Sequence, residues 1–239
     1  MTTAAVVTAA GYGTRLGAAE PKALVQIGER TLLEWALTHL APLVDHVVVT
    51  APPTHVPQIE AVCDVVADLF PDLHTTVVAG GDTRQASVAV AVSALFDSDR
   101  PTPSRVMVHD AARAFMPTAA MRAVVEAVSG DVDGAVPVVP VVDTIVAAPD
   151  ADGHLGEPVD RATLRAVQTP QVFTAAALRD AHTQASGDAT ATDDAMVVMR
   201  AGYRVVVVDG HAWGFKVTSA DDVAWAEHIA RQLSEVTPS

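Results

Sequence analysis

Six short apolar runs, at 4–9, 46–51, 75–79, 105–109, 134–138 and 204–209, punctuate this chain and alternate with longer stretches of helical spacing. The runs are continuous and rich in β-branched residues, the pattern of strands covered on both faces. The intervening stretches, at 32–41, 56–63, 85–95, 118–129, 175–184 and 193–201, repeat apolar residues three and four apart, as does a last one at 220–233. That last helix opens with Ser219 and Asp222 at capping-box-like spacing. Strands and helices alternating in this way predict a three-layer α/β/α, Rossmann-like fold with a mostly parallel sheet. Ligands of such sheets bind beyond the carboxyl ends of the strands, so the loops after Ala9, Ala79, His109 and Val208 are where chemistry is expected.

One segment breaks the rhythm. From 138 to 167 the chain reads as a strand, the run Pro149-Asp150-Ala151-Asp152-Gly153, and a polar stretch ending at Thr163-Leu164-Arg165. Asp152-Gly153 is a turn signal between extended segments, and predicts a β-hairpin arm over about 140–166. A long surface loop is the alternative. No internal repeat or linker divides the chain, so residues 1–239 are expected to form a single domain carrying the arm.

Composition narrows the function classes. The net charge of −14 argues against nucleic acid as a partner. No apolar run is long enough to cross a membrane, and no basic segment precedes an apolar stretch near the N-terminus. A single cysteine, Cys63, suits a reducing compartment, and a cytoplasmic protein is expected. Within this acidic chain the cations stand out: thirteen arginines but only two lysines, Lys22 and Lys216. Those two are candidates for sites needing a compact ammonium on a flexible stem.

The strongest motif follows the first strand: Ala9-Ala10-Gly11-Tyr12-Gly13-Thr14-Arg15-Leu16-Gly17, then Pro21-Lys22. Glycines at 11 and 13 let the backbone approach a phosphate and offer it N–H groups. A dinucleotide fingerprint fails, because Leu16 stands where Gly or Ala is needed. A Walker A loop fails too, because the lysine follows Pro21. Pro21 keeps Glu20 extended, and Arg15 and Lys22 bring two cations to the same phosphates.

The pattern resembles nucleotidyltransferases that activate phosphorylated metabolites. Four later motifs sharpen the resemblance: Gly80-Gly81-Asp82-Thr83-Arg84-Gln85-Ala86-Ser87-Val88, His109-Asp110-Ala111-Ala112-Arg113, Thr169-Pro170-Gln171 and Lys216-Val217-Thr218. In this order, over nearly the whole chain, the set is similar to the 2-C-methyl-D-erythritol 4-phosphate cytidylyltransferase family of the non-mevalonate isoprenoid pathway. The resemblance implies a nucleotidyltransferase fold, CTP and a small polyol phosphate as substrates, and Mg²⁺ as cofactor. It implies that Arg15 and Lys22 stabilise the transition state at the α-phosphate. Ala9, Ala10, Gly11, Gly13, Gly81, Asp82, Ser87 and Ala111 would hold the nucleotide. Asp110, Thr144, Arg161 and Lys216 would surround the polyol phosphate, Arg161 and Lys216 counting also as catalytic and Asp110 as the metal's carboxylate. The arm would cross to a second subunit, making a homodimer in which Thr144 and Arg161 complete the neighbour's site. Enzymes making CDP-ribitol share much of the pattern, so ribitol-5-phosphate cytidylyltransferase is one alternative. A non-catalytic CTP-binding regulator is the other.

Several conspicuous residues have simpler readings. Arg84 and Arg113 can serve to fix loops, His109 to pack a strand end, Asp193-Asp194 to cap a helix and Asp209 to end a strand. Two departures from the family pattern are visible. Ala114 stands where Pro commonly follows HDAAR, and Trp213-Gly214-Phe215 precedes Lys216 where polar Asp-Asn is frequent.

Overall fold

The structure, a computed structural model, describes residues 2–13, 20–185 and 193–236. In chain order the elements are β1 (Thr3–Thr8), β2 (Gln26–Ile27), β3 (Arg30–Thr31), α1 (Leu32–Leu40), β4 (His46–Ala51), α2 (Val56–Leu69), β5 (His74–Ala79) and α3 (Arg84–Phe96). Then follow β6 (Arg105–Asp110), α4 (Thr118–Ala127), β7 (Gly134–Pro140), β8 (Ile145–Val146), β9 (Pro158–Val159), β10 (Arg165–Val167) and β11 (Gln171–Thr174). The chain closes with α5 (Ala175–Gln184), α6 (Asp194–Arg200), β12 (Val205–Asp209) and α7 (Ala220–Val236).

Eight strands make one sheet in the order β10-β7-β11-β6-β1-β4-β5, with β12 also on β7. β4, β1 and β6 run parallel, as do β4 with β5 and β7 with β12; β10 and β11 are antiparallel to their neighbours. All six predicted strands are present, and the sheet is mostly parallel. The sequence pattern does not announce β10 and β11. Both are short, and the Pro170-Gln171 entry to β11 reads locally as a turn. Tertiary pairing on both sides, with β6 and β7, makes β11 a strand.

Because side chains alternate along a strand, the sheet buries two separate cores. Ala5, Val7, Val47, Val49 and Met107 face one side, under Leu33 and Leu37 of α1, Ile59 and Cys63 of α2, and Met121 and Val124 of α4. Ala4, Val6, Val48, Val106 and Val108 face the other, under Val88 and Val92 of α3, Leu178 of α5 and Val198 of α6. A third cluster seats α7 through Ala226 and Ile229 against Trp35, Phe115 and Val217. Helix α2 runs past Cys63 to Leu69, because Val66 continues its buried stripe while Asp64 and Asp68 face solvent. Burial pushes the Cys63 thiol up to about 12, so it is an inert core residue. The capping box of α7 forms in both directions. Asp222 N donates to Ser219 Oγ at 3.3 Å, and Ser219 N to Asp222 Oδ2 at 2.8 Å.

Phe173 of β11 is fully buried, and its ring fills the space that a side chain at Gly134 would need, 2.5 Å from an added Cβ. Phe173→Ala is expected to cost about 3–5 kcal/mol of stability, read as a lowered urea midpoint. A loss under about 1 kcal/mol would mean that the two inner faces repack around β11.

The arm leaves at the end of β7 and returns as β10, where Arg165 pairs with Pro140. Its strands β8 and β9 pair antiparallel, Ile145 with Val159. Asp150 Oδ1 accepts from Asp152 N at 3.0 Å and His154 N at 2.9 Å, and Gly153 takes φ +82°. The turn therefore lies at the predicted dipeptide. Gly156 is needed for the close approach of the two sides, since a Cβ there would lie 2.2 Å from the Ala147 carbonyl oxygen.

Candidate active site

The carboxyl ends of β1 and β6, the turn into α3 and the segment after β12 converge on one cavity of about 220 Å³. Lys22, Lys216 and Asp110 line it, together with Ala9, Ala10 and Gly11 of the first loop. Gly81, Asp82 and Ser87 form another wall, and Ala111 a third. Thr8, Ala23, Thr83, Arg84 and Ala112 also line it. The sequence motifs alone do not assign these to the site, although Thr8, Ala23, Thr83 and Ala112 each adjoin an assigned residue and Arg84 falls within the Gly80–Val88 motif.

The first loop closes on itself. Lys22 N donates to Gly11 O at 3.2 Å, and the 3-10 turn Lys22–Leu24 starts there. Gly13 takes φ +61°, and a Cβ on it would lie 2.8 Å from Lys22 Cβ, so this glycine makes room for the lysine stem. Among the described residues, nothing lies within 4 Å of a Cβ added at Gly11. Arg15 lies outside the described residues.

The turn before α3 is equally tight. Gly81 N donates to Ser87 Oγ at 3.1 Å, and the same hydroxyl bonds Thr83 O at 2.9 Å. A Cβ at Gly80 would lie 2.6 Å from Ala10 Cβ, and one at Gly81 2.6 Å from Ala86 Cβ. The two loops are thus held against each other beside the cavity.

Asp110 ends β6 and is the centre of charge. Its Oδ1 accepts from Ala112 N at 3.0 Å, and its Oδ2 lies 2.5 Å from Lys216 Nζ. Burial alone would raise this carboxyl. Lys216 beside it, the Ala112 N–H and the more distant Lys22 more than offset that, and hold it below the usual carboxylate range. Both lysines of the chain therefore act on one carboxylate. Asp110 N donates to Thr169 Oγ1 at 3.1 Å, which bonds His109 Nδ1 at 2.9 Å. His109 is fully buried, and burial lowers it to about 4, so it is neutral near pH 7 and serves packing.

Lys216 is placed by backbone anchors. Val217 N donates to Ala112 O at 2.9 Å, and Arg113 Nη1 to Gly214 O at 2.7 Å, while Arg113 Nη2 reaches Val167 O at 3.2 Å. Gln168 bonds both backbone groups of His211. Gly214 is packed so closely that a Cβ would lie 2.4 Å from Met116 Cε, and Trp213 and Phe215 pack on the α7 cluster. The apolar run before Lys216 is thus a packing solution. Ala114 keeps φ −54°, near the value proline would impose.

Thr144 and Arg161 do not line this cavity; both are exposed on the arm, where Arg161 Nη1 bonds Val142 O. Arg84 extends into the cavity wall and pairs with buried Asp194 at 2.8 Å. Asp193 caps α6, its Oδ1 accepting from Met196 N at 2.9 Å. Asp209 ends β12.

Magnesium binds through one or two carboxylates plus substrate phosphates, keeping several waters. The cavity offers that donor set: Asp110 at its floor and Asp82 in its wall. The one cluster of three ligand-type side chains among the described residues, Asp150, Asp152 and His154, is at the exposed arm tip.

A family model described as "IspD: 2-C-methyl-D-erythritol 4-phosphate cytidylyltransferase" matches residues 3–232. A protein of that name from Saccharopolyspora erythraea is 45% identical over 233 residues, covering 96% of this chain and 99% of its own. A bifunctional IspD/IspF enzyme from Clavibacter michiganensis is 46% identical over 226 residues, and this chain spans 53% of its length. The crystal structure of the 2-C-methyl-D-erythritol 4-phosphate cytidylyltransferase from Thermus thermophilus superposes with a TM-score of 0.78 at 38% identity, over 97% of this chain and 100% of that one.

Proposed function

The chain belongs to the 2-C-methyl-D-erythritol 4-phosphate cytidylyltransferase family, and on that basis we propose that it joins CTP to 2-C-methyl-D-erythritol 4-phosphate, releasing pyrophosphate, in isoprenoid biosynthesis. The observation that carries the reading is the convergence of Lys22 and Lys216 on Asp110 in the cavity beyond β1 and β6.

The reaction is a displacement at the α-phosphorus. An oxygen of the polyol phosphate forms the new P–O bond, the α–β bridging bond breaks, and its electron pair leaves with pyrophosphate. A phosphate monoester, with its second pKa near 6, is largely ionised at pH 7, so no general base is needed. The demand on the protein is to align two anions and neutralise the charge that develops between them. Lys22, rising from the first loop, serves the nucleotide phosphates, with Arg15 as its companion. Lys216, held by Asp110 and its backbone anchors, serves the acceptor side. The cavity wall at Gly81, Asp82 and Ser87 serves the edge of the pyrimidine. Magnesium, when bound near Asp110, would neutralise the triphosphate and ease the departure of pyrophosphate.

The exposed Val142 and Leu155 on the arm support a homodimer in which Thr144 and Arg161 reach the partner's cavity. The buried single cysteine suits a cytoplasmic enzyme, and among the described residues no helix is long and apolar enough to cross a membrane. Pyrophosphate release should require CTP together with 2-C-methyl-D-erythritol 4-phosphate. Release with ribitol 5-phosphate alone would overturn the acceptor, and CTP binding without turnover on either would overturn the enzyme reading.

A further inference from the structure

Arg84 is oddly placed for helix stability. It is the first residue of α3, where the helix dipole favours an anion. Thr83 already supplies the cap, accepting from Ala86 N at 3.0 Å. The guanidinium runs instead along the cavity wall to Asp194, whose carboxylate is 1% exposed; Nη1 lies 2.8 Å from Oδ2. Behind that carboxylate, His182 Nε2 of α5 lies 3.3 Å from Oδ1. Asp194 is itself fixed, because α6 is capped by Asp193 and its next residue, Ala195, donates to Gln171 Oε1 at 3.0 Å. Gln171 belongs to β11, the strand paired with β6 on which Asp110 sits.

A carboxylate is buried at such a cost only when a charge partner compensates it. Here the partner keeps 30% of its side chain exposed, on the cavity side. One end of Arg84 is therefore held rigidly while the residue still borders the space for the nucleotide. We propose that Arg84 contacts the bound nucleoside triphosphate, and that Asp194, with His182 behind it, is a positioning residue holding that guanidinium in its binding pose.

The inference rests on the cytidylyltransferase reading for its substrates. Asp194→Asn should raise KM for CTP about tenfold and leave KM for the polyol phosphate within about twofold. Arg84→Gln should do the same, and the double variant Arg84→Gln/Asp194→Asn should match Arg84→Gln alone, because Asp194 acts only through Arg84. Arg84→Gln strands the Asp194 carboxylate without its cation, whereas the double variant leaves no unpaired buried charge, so the double variant carries the comparison with wild type should Arg84→Gln fail to fold. An unchanged KM for CTP in folded Asp194→Asn, an equal rise for both substrates, or a double variant clearly weaker than Arg84→Gln would overturn the assignment. Calorimetric binding of CTP to the same proteins separates the two ideas. Weakened binding in Asp194→Asn supports the positioning role even if wild-type protein does not turn over the polyol phosphate, and unweakened binding overturns that role alone.

Discussion

Lys22→Ala is expected to lower kcat by about 10²–10³ while shifting the melting temperature by only a few degrees. Lys22 stands at the start of a short 3-10 turn whose backbone bond to Gly11 does not depend on the side chain. Removing the ammonium leaves the loop closed but takes away a cation beside the cavity floor. In a chain of net charge −14, few other groups can replace it. Charge placed where it develops in the transition state accelerates the chemical step, so the loss should fall on kcat more than on KM. Single-turnover kinetics together with a thermal melt test both halves. Unchanged turnover would end the role of Lys22, and a collapse in stability would make it structural.

Lys216→Met is expected to reduce kcat/KM for the acceptor by about 10² and to change how stability depends on pH. In the wild type the Asp110 carboxyl is held below its unfolded value, so its contribution is present above the ordinary carboxylate range and lost as pH falls through the depressed folded value. Without Lys216 only the Ala112 N–H and Lys22 oppose burial, and the carboxyl moves up from its depressed value. The variant then carries at neutral pH a charge less stabilised than in the wild type, a difference that protonation removes. The gap in unfolding free energy between the two proteins should therefore be widest near pH 7 and narrow on acidification. Urea titrations at several pH values measure it. A gap independent of pH would show that Lys216 does not set the ionisation of Asp110.

Much of this is legible locally. Continuous apolar runs mark buried parallel strands whatever surrounds them, so the strand at 46–51 has its predicted limits. Asp152-Gly153 announces its turn through backbone preference alone. The last helix declares its start because a capping box needs only four consecutive residues. The features that local pattern misses have distant causes. β11 is a strand through its partners on either side, α2 extends because Val66 finds a core, and Gly80 comes up against Ala10 only once the loops after β5 and β1 are packed together.

The candidate site divides in the same way. Gly11, Gly13, Lys22 and the HDAAR run are chemical signals carried by neighbours in the chain, and the scarcity of lysine points to both cations without any knowledge of the fold. Local pattern was therefore enough to set the layers, the ligand-binding end of the sheet and the residues able to meet phosphate. It took the folded chain to join Lys216 to Asp110, to make Gly13 yield space to Lys22 and to anchor Arg84 on Asp194. Those pairings depend on burial and on distances between remote segments, and neither exists until the sheet has closed.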